Sequence, residues 1–249
     1  MNRSLAIGNF FLPPMHVTAI VPAAGGGRRF GGAIPKQYVS LLGIPVLART
    51  LQALWGSGAI DSLVLVVPPG EADRCRAEIL EPHGVRAGRV VSGGADRQAS
   101  VHAGLLAAPE AAEIVLVHDG ARPFIRPETV RAAIRAAVST GAAVVAVAVT
   151  DTIKLVSPDG HRLETLPRER LWAAQTPQVF RAALLREAHS RALADGFRGT
   201  DDCALVERMG HPVHVVPGSA ENLKITTPED LARAEQILRA RETRPGVAP

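Results

Sequence analysis

The chain has 249 residues, 47% hydrophobic and only 4% aromatic, and a formal net charge of +4. That length and apolar content exclude disorder as the main state and provide for one α/β domain with a sizeable core. The basic residues are scattered and aromatics are few, which argues against a nucleic-acid surface, and no apolar run nears the roughly 18 residues of a membrane span. The balance fits a cytoplasmic enzyme for anionic small molecules.

The first stretch, positions 1–16, is short of apolar length and broken by Gly8-Asn9 and Pro13-Pro14, and it reads as a disordered leader. Met15 is an alternative start. The folded unit is expected over 17–241, followed by a frayed tail at 242–249. Apolar runs predict strands at Val17–Val21, Ser62–Val67, Arg89–Val91, Ile114–Val117 and Ala142–Val147. Helical patterns fall near Val46–Trp55, Glu71–Leu80, Gln98–Ala107 and Glu128–Ser139. Near-continuous Val/Leu/Ala strands alternating with helices predict a mostly parallel sheet buried on both faces. Ligands on such sheets bind at the carboxyl ends of the strands.

After the first strand comes PAAGGGRRFGGAIPKQ, Pro22 to Gln37. Glycines let backbone N–H groups approach phosphate oxygens, and Arg28, Arg29 and Lys36 bring positive charge to the same place. The dinucleotide fingerprint fails here, because Phe30 stands where its last glycine belongs. The P-loop fails too, because Gly32 and Ala33 stand where Gly-Lys must close it. The loop after the fourth strand, His118-Asp119-Gly120-Ala121-Arg122-Pro123, is expected to meet the glycine loop at one sheet edge.

From about 150 to 172 the apolar content falls, and Ser157-Pro158-Asp159-Gly160 is a good turn. This segment reads as a protruding β-arm, whose Ile153, Leu155, Val156 and Leu163 call for cover by a second subunit. Helices follow near Arg181–Ala194 and Asp201–Met209, then a strand around Val213–Val216. Thr227-Pro228-Glu229-Asp230 opens the last helix, with Thr227 at the N-cap and Asp230 closing a shortened capping box.

Cys75 and Cys203 have no metal or redox spacing and read as inert thiols in a reducing compartment. His211 and His214 lack further ligands, and no protein metal site is expected. Three of the 28 basic residues are lysine, Lys36, Lys154 and Lys224, and the other 25 are arginine. In so arginine-rich a chain, a lysine marks a place that needs a compact ammonium. Lys154 is the exception, since it lies in an alternating, strand-like stretch.

Seven segments in order, PAAGGGRRFGG…PKQY, SGGADRQASV, VHDGARPF, DTIK, QTPQ, GTDD and ENLKITTPED, resemble the 2-C-methyl-D-erythritol 4-phosphate cytidylyltransferases of the non-mevalonate isoprenoid pathway. The resemblance runs from about Val17 to Arg241. It implies an α/β, Rossmann-like nucleotidyltransferase domain with a mostly parallel mixed sheet, helices on both faces and a β-arm clasping a homodimer. It also implies CTP and methylerythritol phosphate as substrates, with Mg²⁺ or another divalent cation bound mainly through the CTP phosphates.

Roles follow from matched positions. Arg29 and Lys36 occupy the transition-state positions, and Ala23, Ala24, Gly25, Gly26 and Gly27 cradle the nucleotide. Gly93, Gly94 and Ser100 match the cytosine-reading segment. Asp119 and Arg122 lie at the site edge, and Arg168 and Lys224 match the pair that positions the sugar phosphate. Arg168, on the arm, is expected to reach the partner's site, while Thr152, Thr176 and Thr200 add hydrogen bonds. The bland readings are arm surface for Arg168, a loop cap for Asp119 and a local turn for Thr176. Lys224, beside a helix start, gains nothing from the helix dipole, which favours a ligand role. Three positions depart from the family pattern: Ala95 for an acidic residue, Gly120 for alanine, and Pro167 for an acidic residue before Arg168. The competing readings are a ribitol 5-phosphate cytidylyltransferase, a non-catalytic nucleotide sensor and a dinucleotide oxidoreductase.

Overall fold

A computed structural model of the chain describes residues 15–25, 38–161 and 163–242. In chain order the elements begin β1 Val17–Pro22, β2 Ser40–Leu41, β3 Ile44–Pro45, α1 Val46–Trp55, β4 Ser62–Val67 and α2 Ala72–Cys75, which runs on as a π-helical turn over Arg76–Leu80. Next come β5 Arg89–Ser92, α3 Arg97–Ala107, β6 Ile114–Val117, α4 Pro127–Thr140 and β7 Ala142–Ala148. The arm strands are β8 Lys154–Val156 and β9 Leu163–Thr165. Then follow β10 Trp172–Arg181, α5 Ala182–Ala194, α6 Asp202–Arg208, β11 His214–Pro217 and α7 Pro228–Glu242.

Seven strands form one sheet in the order β11-β7-β10-β6-β1-β4-β5. All neighbours pair in parallel except β10, which runs antiparallel between β6 and β7. The expected parallel strands are present. The sequence reading assigned β10 to no element, and its ladder with β7 is irregular between Ala174 and Gln178.

Alternation along the strands explains the two-sided burial. On β4, Leu63, Leu65 and Val67 join the core beneath α1, α2 and α4, while Val64 and Val66 join that beneath α3, α5 and α6. A third, smaller core packs α7 through Ala234 against Leu41, Phe124 and Ile225. Met15 packs on the first core, and the His16 ring lies 3.0 Å from the Ser62 hydroxyl. These two residues therefore belong to the folded unit rather than to the leader expected over 1–16.

Local chemistry sets the helix starts. Asp96 accepts from Ala99 N–H at 2.8 Å to open α3, and Asp201 accepts from Ala204 N–H at 2.9 Å to open α6. The capping box of α7 forms as expected. Asp230 accepts from Thr227 N–H at 3.0 Å, and Thr227 Oγ1 accepts from Asp230 N–H at 3.3 Å. The arm is a separate two-stranded hairpin whose turn closes from Gly160 N–H to Ser157 O, with Gly160 at φ +76°. Its apolar side chains Leu155, Val156 and Leu163 are exposed.

Candidate active site

The carboxyl ends of β1, β4, β5, β6 and β11 lie at one edge of the sheet, and the antiparallel β10 begins there. The end of β4 ties two loops together. Ala23 N–H donates to Val66 O at 2.7 Å and Gly93 N–H donates to Val67 O at 2.8 Å. The loops touch so closely that a Cβ on Gly93 would stand 2.4 Å from Ala24 Cβ and 2.8 Å from Ser100 Oγ. Glycine is required there by close approach. Gly94 is as tight, since its Cβ would meet Ala99 Cβ at 2.4 Å. Ser100 is buried, accepts from Gly94 N–H at 3.2 Å and gives its proton to Asp96 O at 2.8 Å. Its hydroxyl proton thus closes the loop instead of facing a base. Gly26, Gly27, Arg29 and Lys36 lie outside the described residues.

Asp119 follows β6 directly and is nearly buried. Three cations converge on its carboxylate. Lys224 Nζ stands 2.9 Å and Arg122 Nε 3.3 Å from Oδ2, while Arg97 Nε is 3.5 Å from Oδ1. Burial alone would raise this carboxyl. Lys224, then Arg97 and Arg122, outweigh burial and hold it well below the usual carboxylate range. Asp119 is therefore the hub of an ion network, a larger role than the site edge or a loop cap.

Arg97 also reaches Asp202, with Nη1 2.8 Å from Oδ2. Asp202 is 1% exposed and accepts at Oδ1 from His189 Nε2 at 3.1 Å. Lys224, Arg122 and Arg97 thus share Asp119 and Asp202, and the neighbouring Asp201 carboxylate also acts on Arg97. Among the described residues, no group of three or more His, Cys, Asp or Glu side chains is arranged to hold a metal ion.

The backbone of this loop is fixed from behind. Thr176 Oγ1 accepts from Asp119 N–H at 3.0 Å and lies 3.1 Å from His118 Nδ1. Arg122 O, 3.0 Å from His118 Nε2, can only accept, so the neutral ring is the Nε2–H tautomer and Thr176 donates to its Nδ1. Burial pushes its pKa down to about 4. Asn222 Nδ2 donates to Gln175 Oε1 at 3.0 Å and Thr176 O at 2.9 Å, while Arg122 Nη1 donates to Asn222 O at 2.8 Å. Thr176 is thus a buried brace for the Asp119 loop, since its hydroxyl proton is committed inside the protein.

Arg168 is exposed in a 3₁₀ turn at the foot of the arm, where Nη1 donates to Thr150 O at 2.7 Å. Thr152 and Thr200 are exposed. Lys154 bonds across the hairpin to Thr165, a local arm contact. Sequence reasoning gave no role to Arg97, His118, His189, Asp202 or Asn222. Arg97 carried one usable signal: a cation in the first turn of a helix opposes the dipole and needs another reason to be there.

Residues 17–240 match the family described as 2-C-methyl-D-erythritol 4-phosphate cytidylyltransferase. The enzyme of that name from Pelotomaculum thermopropionicum is 48% identical over 229 residues, covering 92% of this chain and 96% of its own. Its counterpart from Syntrophus aciditrophicus is 48% identical, with 92% and 98% coverage. Among solved structures, the Thermus thermophilus cytidylyltransferase is 38% identical at a TM-score of 0.74, covering 90% of this chain and all of its own. The Anaerococcus prevotii 4-diphosphocytidyl-2C-methyl-D-erythritol synthase superposes at a TM-score of 0.80 with 33% identity, covering 90% and 96%. With this sheet order, this site edge and matches of this extent, the chain belongs to the 2-C-methyl-D-erythritol 4-phosphate cytidylyltransferase family.

Proposed function

We propose that the Asp119 network and the paired glycine loops carry the family's reaction, transfer of CMP from CTP to 2-C-methyl-D-erythritol 4-phosphate with release of pyrophosphate. The substrate's phosphate monoester is the nucleophile. Its oxygen bonds to the α-phosphorus, the Pα–O bond to the β-phosphate breaks, and pyrophosphate leaves with the electron pair. A phosphate monoester is already largely dianionic at neutral pH, so the step needs no general base. His118, buried and bonded through both ring nitrogens, is not free to serve as one. Catalysis is then positioning and charge stabilisation.

Backbone N–H groups of the loop from Ala24 to Gly27 receive the triphosphate, with Ala23 anchoring the loop to Val66, and Gly93 and Gly94 receive the cytosine. Arg29 and Lys36 stabilise the charge that develops on the transferring phosphoryl group. Lys224 and Arg168 orient the sugar phosphate, and Asp119 and Arg122 fix Lys224 for that task. The divalent cation arrives as part of the substrate, Mg²⁺ on the CTP phosphates. Both carboxylates of the site are engaged by cations, which supports that reading over a protein-held metal.

The chain acts as a homodimer, with the arm of one protomer completing the site of the other. Exposed Leu155, Val156, Leu163 and Trp172 on and beside the arm support this. The enzyme works in the cytoplasm. No described helix is long and apolar enough to cross a membrane. Burial pushes the Cys75 thiol up to about 11 and the Cys203 thiol higher, which keeps both in the thiol form.

The convergence of Lys224, Arg97 and Arg122 on Asp119 beside the glycine loops carries this reading. The test is pyrophosphate release by purified protein with MgCTP, comparing methylerythritol 4-phosphate with ribitol 5-phosphate. Release with the former alone is expected. Release with ribitol 5-phosphate alone would overturn the substrate assignment.

A further inference from the structure

Arg97 is the first residue of α3, directly after the loop that carries Gly93 and Gly94. Its guanidinium lies between two carboxylates from different parts of the chain, 3.5 Å from Asp119 after β6 and 2.8 Å from Asp202 at the start of α6. Asp202 is held rigidly. It is 1% exposed, its N–H donates to Gln178 Oε1 at 3.0 Å, and its Oδ1 faces His189 Nε2 at 3.1 Å. Asp119 is shared by three cations, of which Lys224 is the nearest at 2.9 Å. Asp202 therefore takes the close share of the Arg97 charge and leaves Asp119 to Lys224. Burial lowers the affinity of Arg97 for its proton, but Asp202 and Asp119 outweigh burial, so it stays charged.

We propose that Arg97 is a positioning residue that links the nucleotide loop to the sugar-phosphate cluster, with Asp202 as its fixed anchor. Arg97 touches neither substrate. It sets the distance between the two subsites and, through Asp119, the place of the Lys224 ammonium. This inference rests on the role given above to the Asp119 cluster, and it adds a residue for which that reading has no task.

The experiment is a double-mutant cycle on the full-length enzyme. Arg97→Lys keeps the charge but loses the planar fork that spans two carboxylates. It should lower kcat/KM for methylerythritol phosphate by about 10- to 100-fold, the scale of a small misplacement of reacting groups. In an Asp119→Asn background the same substitution should cost less than about threefold, because the residue it acts through is already disabled. An Asp119→Asn enzyme of full activity would overturn the reading of the cluster and this inference with it. An impaired Asp119→Asn enzyme in which Arg97→Lys exacts its full further loss would overturn the inference alone. A lowered melting midpoint with unchanged kinetics would also overturn it, since a merely structural strut behaves that way. If Arg97→Lys does not fold, Asp202→Asn, of the same size and shape, is run through the same cycle with the same outcomes.

Discussion

Acidification should weaken this fold well before its carboxylates titrate, because of His118. The residue is fully buried, and its pKa is depressed from 6.5 to about 4, first by burial. Both ring nitrogens are used, Nδ1 as acceptor from Thr176 and Nε2–H as donor to Arg122 O. A second ring proton would have to displace the Thr176 hydroxyl proton from Nδ1 and place a charge in the buried site. The sign follows from linkage. Between pH 6.5 and 4 the unfolded chain binds this proton and the folded chain does not, so stability falls as pH falls through that window. The full effect is present at neutral pH and is exhausted below about 4. At about 1.4 kcal/mol per pKa unit over some 2.5 units, His118 accounts for about 3 kcal/mol.

The stabilising carboxylates Asp119 and Asp202 are also depressed. Their contributions are present above the ordinary carboxylate pKa and are lost at more acid pH, outside the window. His102, lowered by burial and by His189, adds a smaller term of the same sign as His118. The assay is urea unfolding followed by Trp fluorescence at pH 7, 6, 5 and 4.5, at fixed ionic strength and protein concentration, for wild type and His118→Gln. The wild type should lose about 2 kcal/mol more than the variant between pH 7 and 4.5. Parallel curves would refute the assignment of His118 as a buried neutral imidazole.

Other substitutions test separate parts of the argument. Gly93→Ala drives a methyl to within 2.4 Å of Ala24 Cβ, and it should raise KM for CTP at least tenfold and cost about 1–3 kcal/mol in urea unfolding. An unchanged KM would show that the two loops do not form the nucleotide subsite. Leu155→Asp combined with Leu163→Asp replaces side chains 55% and 66% exposed in the single chain. Sedimentation should show the double variant as a monomer with turnover down at least tenfold. A dimer of full activity would place the interface elsewhere.

The central parallel strands β1, β4, β6 and β7 were legible because they are short Val, Leu, Ile and Ala runs buried on both faces, and nothing in them competes with that pattern. The strand β10 was not. Its residues WAAQTPQVFR include Gln175, Thr176 and Gln178, which are buried to bond other parts of the chain rather than to pack oil against oil. Polar burial of this kind has no period. The same limit applied to the site. Asp119, Arg122 and Lys224 were found through their motifs, but the geometry that joins them passes through Arg97 and Asp202, from two other segments, and through Asn222, two residues before Lys224. A buried ion pair cannot be read from one partner. The β-arm was legible from a drop in apolar content and a turn, and Lys154 from its alternating neighbours.

The strand β10 also divides the chain's tolerance to insertion and deletion. It leaves the root of the arm at Trp172, passes Thr176 at the Asp119 loop, and reaches Gln178 under α6. Side chains of a strand alternate between faces, so one added or lost residue between Gln178 and Arg181, where the ladder with β6 is regular, inverts every side chain beyond it. Val179 and Phe180 would then exchange the two cores that they fill. The arm hairpin has no such phase to keep at its tip. Lineages of this enzyme are therefore free to lengthen or shorten the arm between Ser157 and His161, while the spacing from Gln178 to Arg181 is locked by parity.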